Sequence, residues 1–331
     1  MKLRKLGNSE VEVTPLAFGA WAIGGWLWGG AEEKSALRAI RASFDLGITT
    51  IDTAPAYGFG RSEILVGQAM EGIDRAKYQI LTKYGLVWTS DRGDLHLDTV
   101  DNDGNPVKMY RNANPESVIR ECEESLRRLN TDYIDLLQIH WPDSTTPIAD
   151  TMGAVGRLIE QGKVRAAGLC NYNVQQVEEA LKTLSVVSNQ VPYSMVNRRI
   201  EKDIIPQALE KGLAILPYSP LQRGLLTGKI HEGYSFQEGD NRPQTKYFSA
   251  ENIRRANELL DKIRPLADAH NATLSQVVIN WTSRQPAISC VLVGARDEKQ
   301  VAENAGALAF ELSDTEMEYI TSMVHETELV G

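Results

Sequence analysis

Four side chains of the kinds that carry out acid–base chemistry end or follow apolar runs in this sequence. Asp52 ends the β-branched run 48–52, and Tyr57 stands five residues later, in a turn rich in Gly and Pro. Lys83 and His140 end two later apolar runs. An ammonium group buried in a strand is costly unless an anion pairs with it, so we expect Asp52 to pair with Lys83. If the fold brings all four side chains together, packing alone does not explain their presence, and a catalytic role is favoured.

The elements that would position these groups alternate along 331 residues. Amphipathic helices separate apolar strand candidates, and they carry end signals such as Asn114 before Pro115 and the capping box of Ser313 and Glu316. The strand candidates are Leu16–Ala20, Ile48–Asp52, Gln79–Lys83, Ile134–His140, Val164–Cys170, Val186–Val191, Leu213–Tyr218 and Ser289–Gly294. Eight strands alternating with helices predict an α/β fold, a single (β/α)8 TIM barrel domain over residues 1–331. A doubly wound open sheet is the alternative, but the sequence lacks its G-x-G-x-x-G fingerprint.

Further segments complete the predicted barrel. Alternation around Gly7 and Asn8 predicts an N-terminal β-hairpin that plugs the bottom of the barrel. Residues 84–114 and 219–249 exceed the usual connection length and follow the third and seventh strands, so we expect functional loops at the C-terminal rim. The polar or glycine positions at that rim are Asp52, Lys83, His140, Asn171, Gln190, Tyr218 and Gly294.

Composition narrows the possible partners and location. The 35 basic and 44 acidic residues give a net charge of −9, which repels nucleic acids and anionic membrane surfaces. The 3 cysteines are widely spaced, which argues against a disulfide framework or a zinc site and favours a reducing compartment. The uncharged segment 13–31 contains a proline and five glycines, so we interpret it as a strand and a Gly- and Trp-rich loop, not a membrane span. Because the opening residues contain no signal-peptide core, we expect a cytoplasmic protein.

Six stretches of the sequence, in this order and spacing, resemble the successive signatures of the aldo-keto reductase superfamily. They are "TTIDTAPAYGFGRSE", "LTK", "DLLQIHWPD", "GLCNYN", "YSPLQRGLLTGK" and "LVGARDEKQVAEN". The resemblance runs from Leu3 to about the last helix, and "GAWAIGGWLWGG" and "TAPAYGFG" are most similar to the bacterial branch of general stress protein 69-like, NADPH-dependent aldehyde reductases. The resemblance implies an oxidoreductase that transfers a hydride between NADPH and an aldehyde or ketone.

The resemblance also implies a role for each polar side chain at the rim. Tyr57 would be the general acid that protonates the carbonyl oxygen of the substrate, and His140 would orient that carbonyl. Lys83 would lie beside the Tyr57 hydroxyl, with Asp52 paired to the lysine. A free tyrosine has a pKa of ~10, and a nearby ammonium group lowers it toward the operating range. Positioned acid catalysis of this sort is worth ~10²–10⁴ in rate.

For the cofactor, the resemblance implies that NADPH binds residues on several strand ends and loops. Those at the nicotinamide would be Asn171, Gln190 and Tyr218. Those of the loop over the pyrophosphate would be Ser219, Leu221 and Arg223. Those around the adenosine and its 2′-phosphate would be Gly294, Arg296, Gln300, Glu303 and Asn304. An arginine suits a phosphate because it stays charged and can bind two oxygens.

The rim also carries aromatic residues that resemble the family's substrate-pocket walls, namely Trp21, Trp88 and Trp141. A flat aromatic slot predicts a preference for electron-poor aromatic aldehydes over glyceraldehyde. Two alternatives stay open. A redox-sensing binding subunit resembling potassium-channel β subunits would keep the same polar residues, whereas a metal-dependent hydrolase would need more ligands than Asp52 and His140. We expect a small-molecule carbonyl substrate, no bound metal, and a monomer or weak homo-oligomer.

Overall fold

The chain folds around a ring of parallel strands. The computed structural model describes residues 1–25, 32–236, 240 and 242–331, so most of the predicted Gly- and Trp-rich loop and a short part of the 219–249 loop lie outside the described residues. In chain order the strands are β1 (Arg4–Lys5), β2 (Glu12–Val13), β3 (Leu16–Gly19), β4 (Thr50–Asp52), β5 (Gln79–Tyr84), β6 (Leu86–Val87), β7 (Asp94–Val100), β8 (Pro106–Arg111), β9 (Ile134–Ile139), β10 (Val164–Cys170), β11 (Val186–Pro192), β12 (Ala214–Tyr218) and β13 (Val291–Gly294). The helices are α1 (Glu33–Asp45), α2 (Arg61–Ala69), α3 (Pro115–Leu129), α4 (Ile148–Glu160), α5 (Val174–Leu181), α6 (Ile204–Lys211), α7 (Ala250–Ala269), α8 (Leu274–Ser283), α9 (Glu298–Ala305) and α10 (Asp314–Glu326).

The barrel is one parallel sheet of 8 strands, in the order β12, β11, β10, β9, β5, β4, β3, β13. A bridge between Ile215 and Ile288 closes the ring, where the Ile215 N–H donates to the Ala287 carbonyl at 2.8 Å. Each predicted strand is present, because strands covered on both faces are continuous apolar runs. The predicted (β/α)8 barrel is confirmed.

The bottom of the barrel is closed by the N-terminal hairpin. Strands β1 and β2 pair antiparallel, with Arg4 opposite Val13. Leu6, Val11 and Val13 are buried in one apolar cluster with the inward side chains of the barrel strands. Arg4 ties the hairpin to the barrel by donating from Nη1 to the Ser283 carbonyl at 2.7 Å. The predicted hairpin plug is therefore confirmed.

The helices begin where the capping signals predict. Asn114 Oδ1 accepts a hydrogen bond from the Ser117 N–H at 3.0 Å, one residue before α3 starts at a proline. Ser313 and Glu316 form the predicted capping box at the start of α10. The buried faces of α3 and α10 pack in the main apolar core around the barrel. Over the described part of the chain, no helix is long and apolar enough to cross a membrane.

The loop after β5 forms a small antiparallel sheet, which we call the flap (residues 86–111). Its strands lie in the order β6, β8, β7, and β7 and β8 form a hairpin. The turn of this hairpin is closed by Asp101, whose carboxylate accepts hydrogen bonds from the N–H groups of Asp103 and Asn105 at 2.9 and 2.8 Å. The flap leaves the carboxyl end of a barrel strand, so it stands at the rim, where the functional loops are expected.

Candidate active site

A buried ion pair lies at the centre of the rim. Lys83 Nζ on β5 is 2.7 Å from Asp52 Oδ1 on the neighbouring strand β4, and both side chains are almost fully buried. The ammonium group also donates to the Thr53 carbonyl at 2.9 Å. Asp52 Oδ2 accepts a hydrogen bond from Gln190 Nε2 at 2.9 Å and a longer one from Gln138 Nε2 at 3.5 Å. The predicted contact of Asp52 with Lys83 is present, and hydrogen-bonding groups surround it, as a buried charge requires.

Tyr57 lies over this ion pair because of the turn that follows β4. The Lys83 ammonium is 4.8 Å from the centre of the Tyr57 ring. Gly58 has a φ of 66°, and a Cβ there would lie 1.9 Å from the Gly24 carbonyl oxygen. Only glycine therefore lets the turn approach the loop after β3 this closely. The Tyr57 ring meets His140 edge-on, with 5.6 Å between ring centroids.

The protonation states of these groups follow from burial and from the ion pair. Burial raises the pKa of Tyr57 to about 12, although the Lys83 ammonium acts in the opposite direction. Lys83 lowers this pKa, as the sequence predicts, but burial raises it more. The prediction that the pKa of Tyr57 shifts toward neutral pH is therefore wrong. Burial alone would lower the pKa of Lys83, but Asp52 and Tyr57 raise it above its ordinary value. The pKa of His140 is well below its ordinary value because of burial and Lys83, so the imidazole is neutral at pH 7.

Asp52, Tyr57 and His140 line one end of a cleft of about 590 Å³ at the rim, and Lys83 lies buried beneath them. The predicted nicotinamide residues lie in the same wall. Tyr218 donates from its hydroxyl to Asn171 Oδ1 at 3.0 Å, and Asn171 Nδ2 donates to the His140 carbonyl at 3.1 Å. Gln190 also lines the cleft, although its amide nitrogen is already bonded to Asp52. One hydrogen-bonded chain thus joins the strand ends of β9, β10 and β12.

The loop after β12 runs along the cleft with an unusual backbone. Ser219, Gln222 and Arg223 have φ values of 56°, 44° and 55°. Such conformations are costly for residues other than glycine and cluster at ligand-binding sites. Arg242 supports the loop, because its Nη1 donates to the Arg223 carbonyl at 3.1 Å while its guanidinium pairs with Asp240 at 2.6 Å. The predicted loop residues that line the cleft are Ser219, Leu221 and Arg223.

The other end of the cleft is formed by the end of β13 and the start of α9. Gly294, Arg296 and Gln300 line it, as the sequence predicts. A Cβ at Gly294 would meet no atom nearer than the Gly19 carbonyl oxygen at 3.8 Å. The missing side chain therefore keeps this section of the cleft open. Gln300 Oε1 accepts a hydrogen bond from the Arg296 N–H at 3.0 Å, which fixes the backbone beside the cleft.

Three residues predicted for the site, namely Glu303, Asn304 and Trp88, do not line the cleft. Asn304 is buried and donates to the carbonyl of the last residue of β13 at 3.2 Å. Glu303 forms an ion pair with Lys229 at 3.7 Å. Trp88 packs edge-on against Phe59, with 5.3 Å between ring centroids, whereas Trp21 and Trp141 line the cleft. Contacts of these three residues with a ligand stay predictions.

Comparison with known proteins identifies the family. The profile of the Aldo/keto reductase family matches residues 15–325. The chain belongs to this family. It is 33% identical over 329 residues to the aldo-keto reductase YhdN of Bacillus subtilis (strain 168), with 99% of this chain and 95% of that protein covered. It is 34% identical over 333 residues to the NADH-specific methylglyoxal reductase of Escherichia coli (strain K12), with 99% and 100% covered. The solved structure of the glycerol dehydrogenase from Gluconobacter oxydans superimposes with a TM-score of 0.88 at 32% identity, covering 99% of this chain and 97% of that one.

Three polar residues of the site in this aldo/keto reductase were not predicted from the sequence. Gln138 pairs with Lys83 in the register of β5 and β9. The sequence does indicate its position, because Gln138 lies two residues before His140 and therefore on the same face of the strand. Arg242 lines the cleft and supports the loop after β12. His96 lines the cleft from the flap, where alternating polar residues give no local signal for it.

Proposed function

We propose that this chain reduces small aldehydes and ketones to alcohols with NADPH, and that Tyr57 is the general acid. The observation that carries the proposal is the buried Lys83–Asp52 ion pair, 2.7 Å long, beneath the Tyr57 ring at the wall of the cleft. A buried ion pair contributes little to stability compared with apolar residues of the same size. Its presence at the end of a barrel strand, inside a cleft, therefore favours a role in the chemistry above it.

The cleft suits a nicotinamide dinucleotide, the kind of cofactor that aldo-keto reductases use. Tyr218 and Asn171 offer an aromatic ring and an amide at the end near Tyr57, and Arg296 lies at the far end. Between them, the backbone of the loop after β12 would hold the pyrophosphate. Arg296 favours NADPH over NADH, because a guanidinium can bind the 2′-phosphate with two charge-assisted hydrogen bonds. The Escherichia coli relative is named as NADH-specific, so cofactor choice needs a direct test.

Tyr57 and the residues around it have different roles in the proposed reduction. When bound, NADPH supplies the hydride that reaches the carbonyl carbon. As negative charge develops on the carbonyl oxygen, the Tyr57 hydroxyl transfers its proton to that oxygen, and the Lys83 ammonium stabilises the phenolate left behind. Asp52 keeps Lys83 charged and in place. His140 is neutral, so it donates a ring N–H to the carbonyl oxygen and orients it without adding a second cation.

The substrates we propose are small carbonyl compounds. Trp21 narrows the cleft beside the general acid, with 6.2 Å between its ring centroid and that of Tyr57. The names of two similar proteins refer to methylglyoxal and glycerol, which are three-carbon compounds. We further propose a monomer or weak homo-oligomer in the cytoplasm, where the three buried, free cysteines would stay reduced.

Steady-state oxidation of NADPH and NADH with a panel of aldehydes, ketones and sugars tests the proposal. We expect turnover of at least one carbonyl at ~1 s⁻¹ or faster, and a kcat/KM with NADPH that is about tenfold or more above that with NADH. A redox-sensing binding subunit, the alternative, would bind NADPH tightly but reduce every carbonyl far more slowly. Equal kcat/KM values with the two cofactors would overturn the assignment of NADPH while leaving the reaction class in place.

A further inference from the structure

The flap places a polar side chain in the substrate end of the cleft that has no part in the mechanism above. His96, in β7, lines the cleft together with Leu97. Its ring centroid lies 5.3 Å from that of Trp141, with an angle of 40° between the rings. Trp141 directly follows His140 in the chain. His96 therefore contacts the residue next to His140, which would orient the carbonyl beside Tyr57.

A β-bulge turns His96 toward the cleft. The register between β7 and β8 shifts, so that Leu95 pairs with Tyr110 and Leu97 pairs with Met109, which leaves His96 as the extra residue. Neighbouring side chains of a regular strand point to opposite faces. Here His96 and Leu97 both line the cleft, whereas Leu95 is 49% exposed. Bulges commonly re-aim side chains next to active sites.

Two anchors hold the flap, so His96 keeps a fixed position relative to the reacting groups. At the base of the flap, Asp94 Oδ2 accepts hydrogen bonds from the Ser144 hydroxyl at 2.6 Å and the Ser144 N–H at 3.1 Å, in the loop after β9. At its tip, Asn102 Nδ2 donates to the Gly58 carbonyl at 2.9 Å, in the turn that carries the general acid. A side chain held between these two anchors is preorganised for binding.

The chemistry of His96 differs from that of its surroundings. The apolar and aromatic side chains of this part of the cleft are Trp21, Leu86, Leu97 and Trp141. Burial and the nearby Arg111 lower the pKa of His96, so its ring is neutral at pH 7. A neutral imidazole has one donor and one acceptor nitrogen. A hydroxyl group is likewise a donor and an acceptor, and among apolar walls it has few other partners.

We propose that His96 is a specificity-determining residue, which binds a substrate hydroxyl near the reacting carbonyl and so selects hydroxylated aldehydes and ketones over their deoxy counterparts. This inference rests on the proposed function, because it assigns the substrate class of the same site. The selectivity arises because a hydroxyl that enters an apolar cleft without a partner loses its hydrogen bonds to water. An imidazole at the right place restores them, whereas a deoxy substrate leaves the imidazole itself unpaired.

The test is the ratio of kcat/KM for glyceraldehyde to kcat/KM for propanal, measured with NADPH. A ratio is independent of the fraction of active enzyme, so it does not respond to partial unfolding. His96→Phe keeps an aromatic ring against Trp141 and removes both nitrogens, and we expect the ratio to fall about tenfold. His96→Gln keeps a donor and an acceptor and should recover most of the ratio. Leu95→Gln, on the opposite face of the same bulge, is the matched control and should leave the ratio unchanged.

Three outcomes of these measurements would contradict the proposed role of His96. An unchanged ratio in His96→Phe, with both aldehydes still reduced, would overturn the role of His96 and leave the proposed function intact. Equal losses for both aldehydes would also overturn it, because that result indicates a disturbed flap and not a lost hydroxyl contact. If the unmodified enzyme reduced neither these aldehydes nor any other carbonyl compound, the proposed function would fail and this inference with it.

Discussion

Replacing Lys83 with methionine should strongly destabilise the fold, because it strands a buried carboxylate. In the native site the ammonium group is 2.7 Å from Asp52 Oδ1, and the lysine side chain is 0% exposed. After the replacement, Asp52 would keep only the amide donors of Gln190 at 2.9 Å and Gln138 at 3.5 Å. Breaking a buried pair by removing one partner costs about 3–5 kcal/mol in the free energy of unfolding.

Asp52→Asn leaves the opposite charge unpaired and should cost a similar amount. The double variant Asp52→Asn/Lys83→Met contains neither charge, so it should be at least as stable as either single variant. The double-mutant cycle should therefore give a coupling at least as large as one single effect, about 3–5 kcal/mol, between the two residues. Such coupling distinguishes loss of the ion pair from simple loss of packing. If packing alone were lost, the two single losses in the free energy of unfolding would add in the double variant.

Urea unfolding at pH 7, followed by the fluorescence of the 6 tryptophans, measures these free energies. Lys163→Met provides the matched control, since Lys163 pairs with Glu123 at 2.8 Å on the surface. A surface pair contributes little, so this variant should shift the urea midpoint far less than Lys83→Met. Single effects that add in the double variant, or a Lys83→Met variant no less stable than the control, would refute this role of the ion pair.

Three further predictions concern cofactor choice, substrate choice and stability. Arg296→Ala should weaken NADPH binding about ten- to a hundredfold in fluorescence titrations, and equal losses for NADH would place the 2′-phosphate elsewhere. Trp141→Ala should reduce the preference for a nitrobenzaldehyde over glyceraldehyde more than Trp88→Ala, because Trp141 lines the cleft whereas Trp88 packs against Phe59 and does not line it; the opposite order of kcat/KM ratios would contradict this. Burial raises the pKa of Glu121 from 4.5 to about 7. Between these two pH values the folded state retains a proton that the unfolded state releases, so the free energy of unfolding falls as the pH rises from 4.5 to about 7. Glu121→Gln should therefore stabilise the protein by up to about 3 kcal/mol at pH 8 but hardly at pH 5, and equal shifts of the urea midpoint at both pH values would be the contrary result.

The barrel and its rim were predictable because local sequence and topology agree. A strand covered on both faces must be apolar throughout, and the run Ile134–Ile139 is buried at every position. Parallel strands bring their carboxyl ends to one rim, so polar residues that end them must converge. Asp52 and Lys83 are neighbours simply because β4 pairs with β5. The same logic, applied to Gln138 two residues before His140, would have found that residue as well.

The flap and the protonation of Tyr57 could not be derived in the same way. The strand β7 is mostly polar and has no fully buried residue, and the bulge at His96 depends on which residues pair across the hairpin, not on local composition. Trp88 follows a barrel strand like a pocket residue, but its ring packs edge-on against Phe59 and does not line the cleft. For Tyr57, the sequence reveals a nearby lysine but not the depth of burial, and burial decides the direction of the pKa shift.

The role of Tyr57 as proton donor is the central claim, and single-turnover reduction by Tyr57→Phe tests it most directly. Phenylalanine keeps the ring that contacts Trp21 and His140, so the variant should fold and bind NADPH with unchanged affinity in a fluorescence titration. With enzyme in excess over NADPH and with saturating aldehyde, the rate of cofactor oxidation should fall ~10²–10⁴-fold. A variant that binds NADPH normally and still oxidises it at the unmodified rate would contradict the claim.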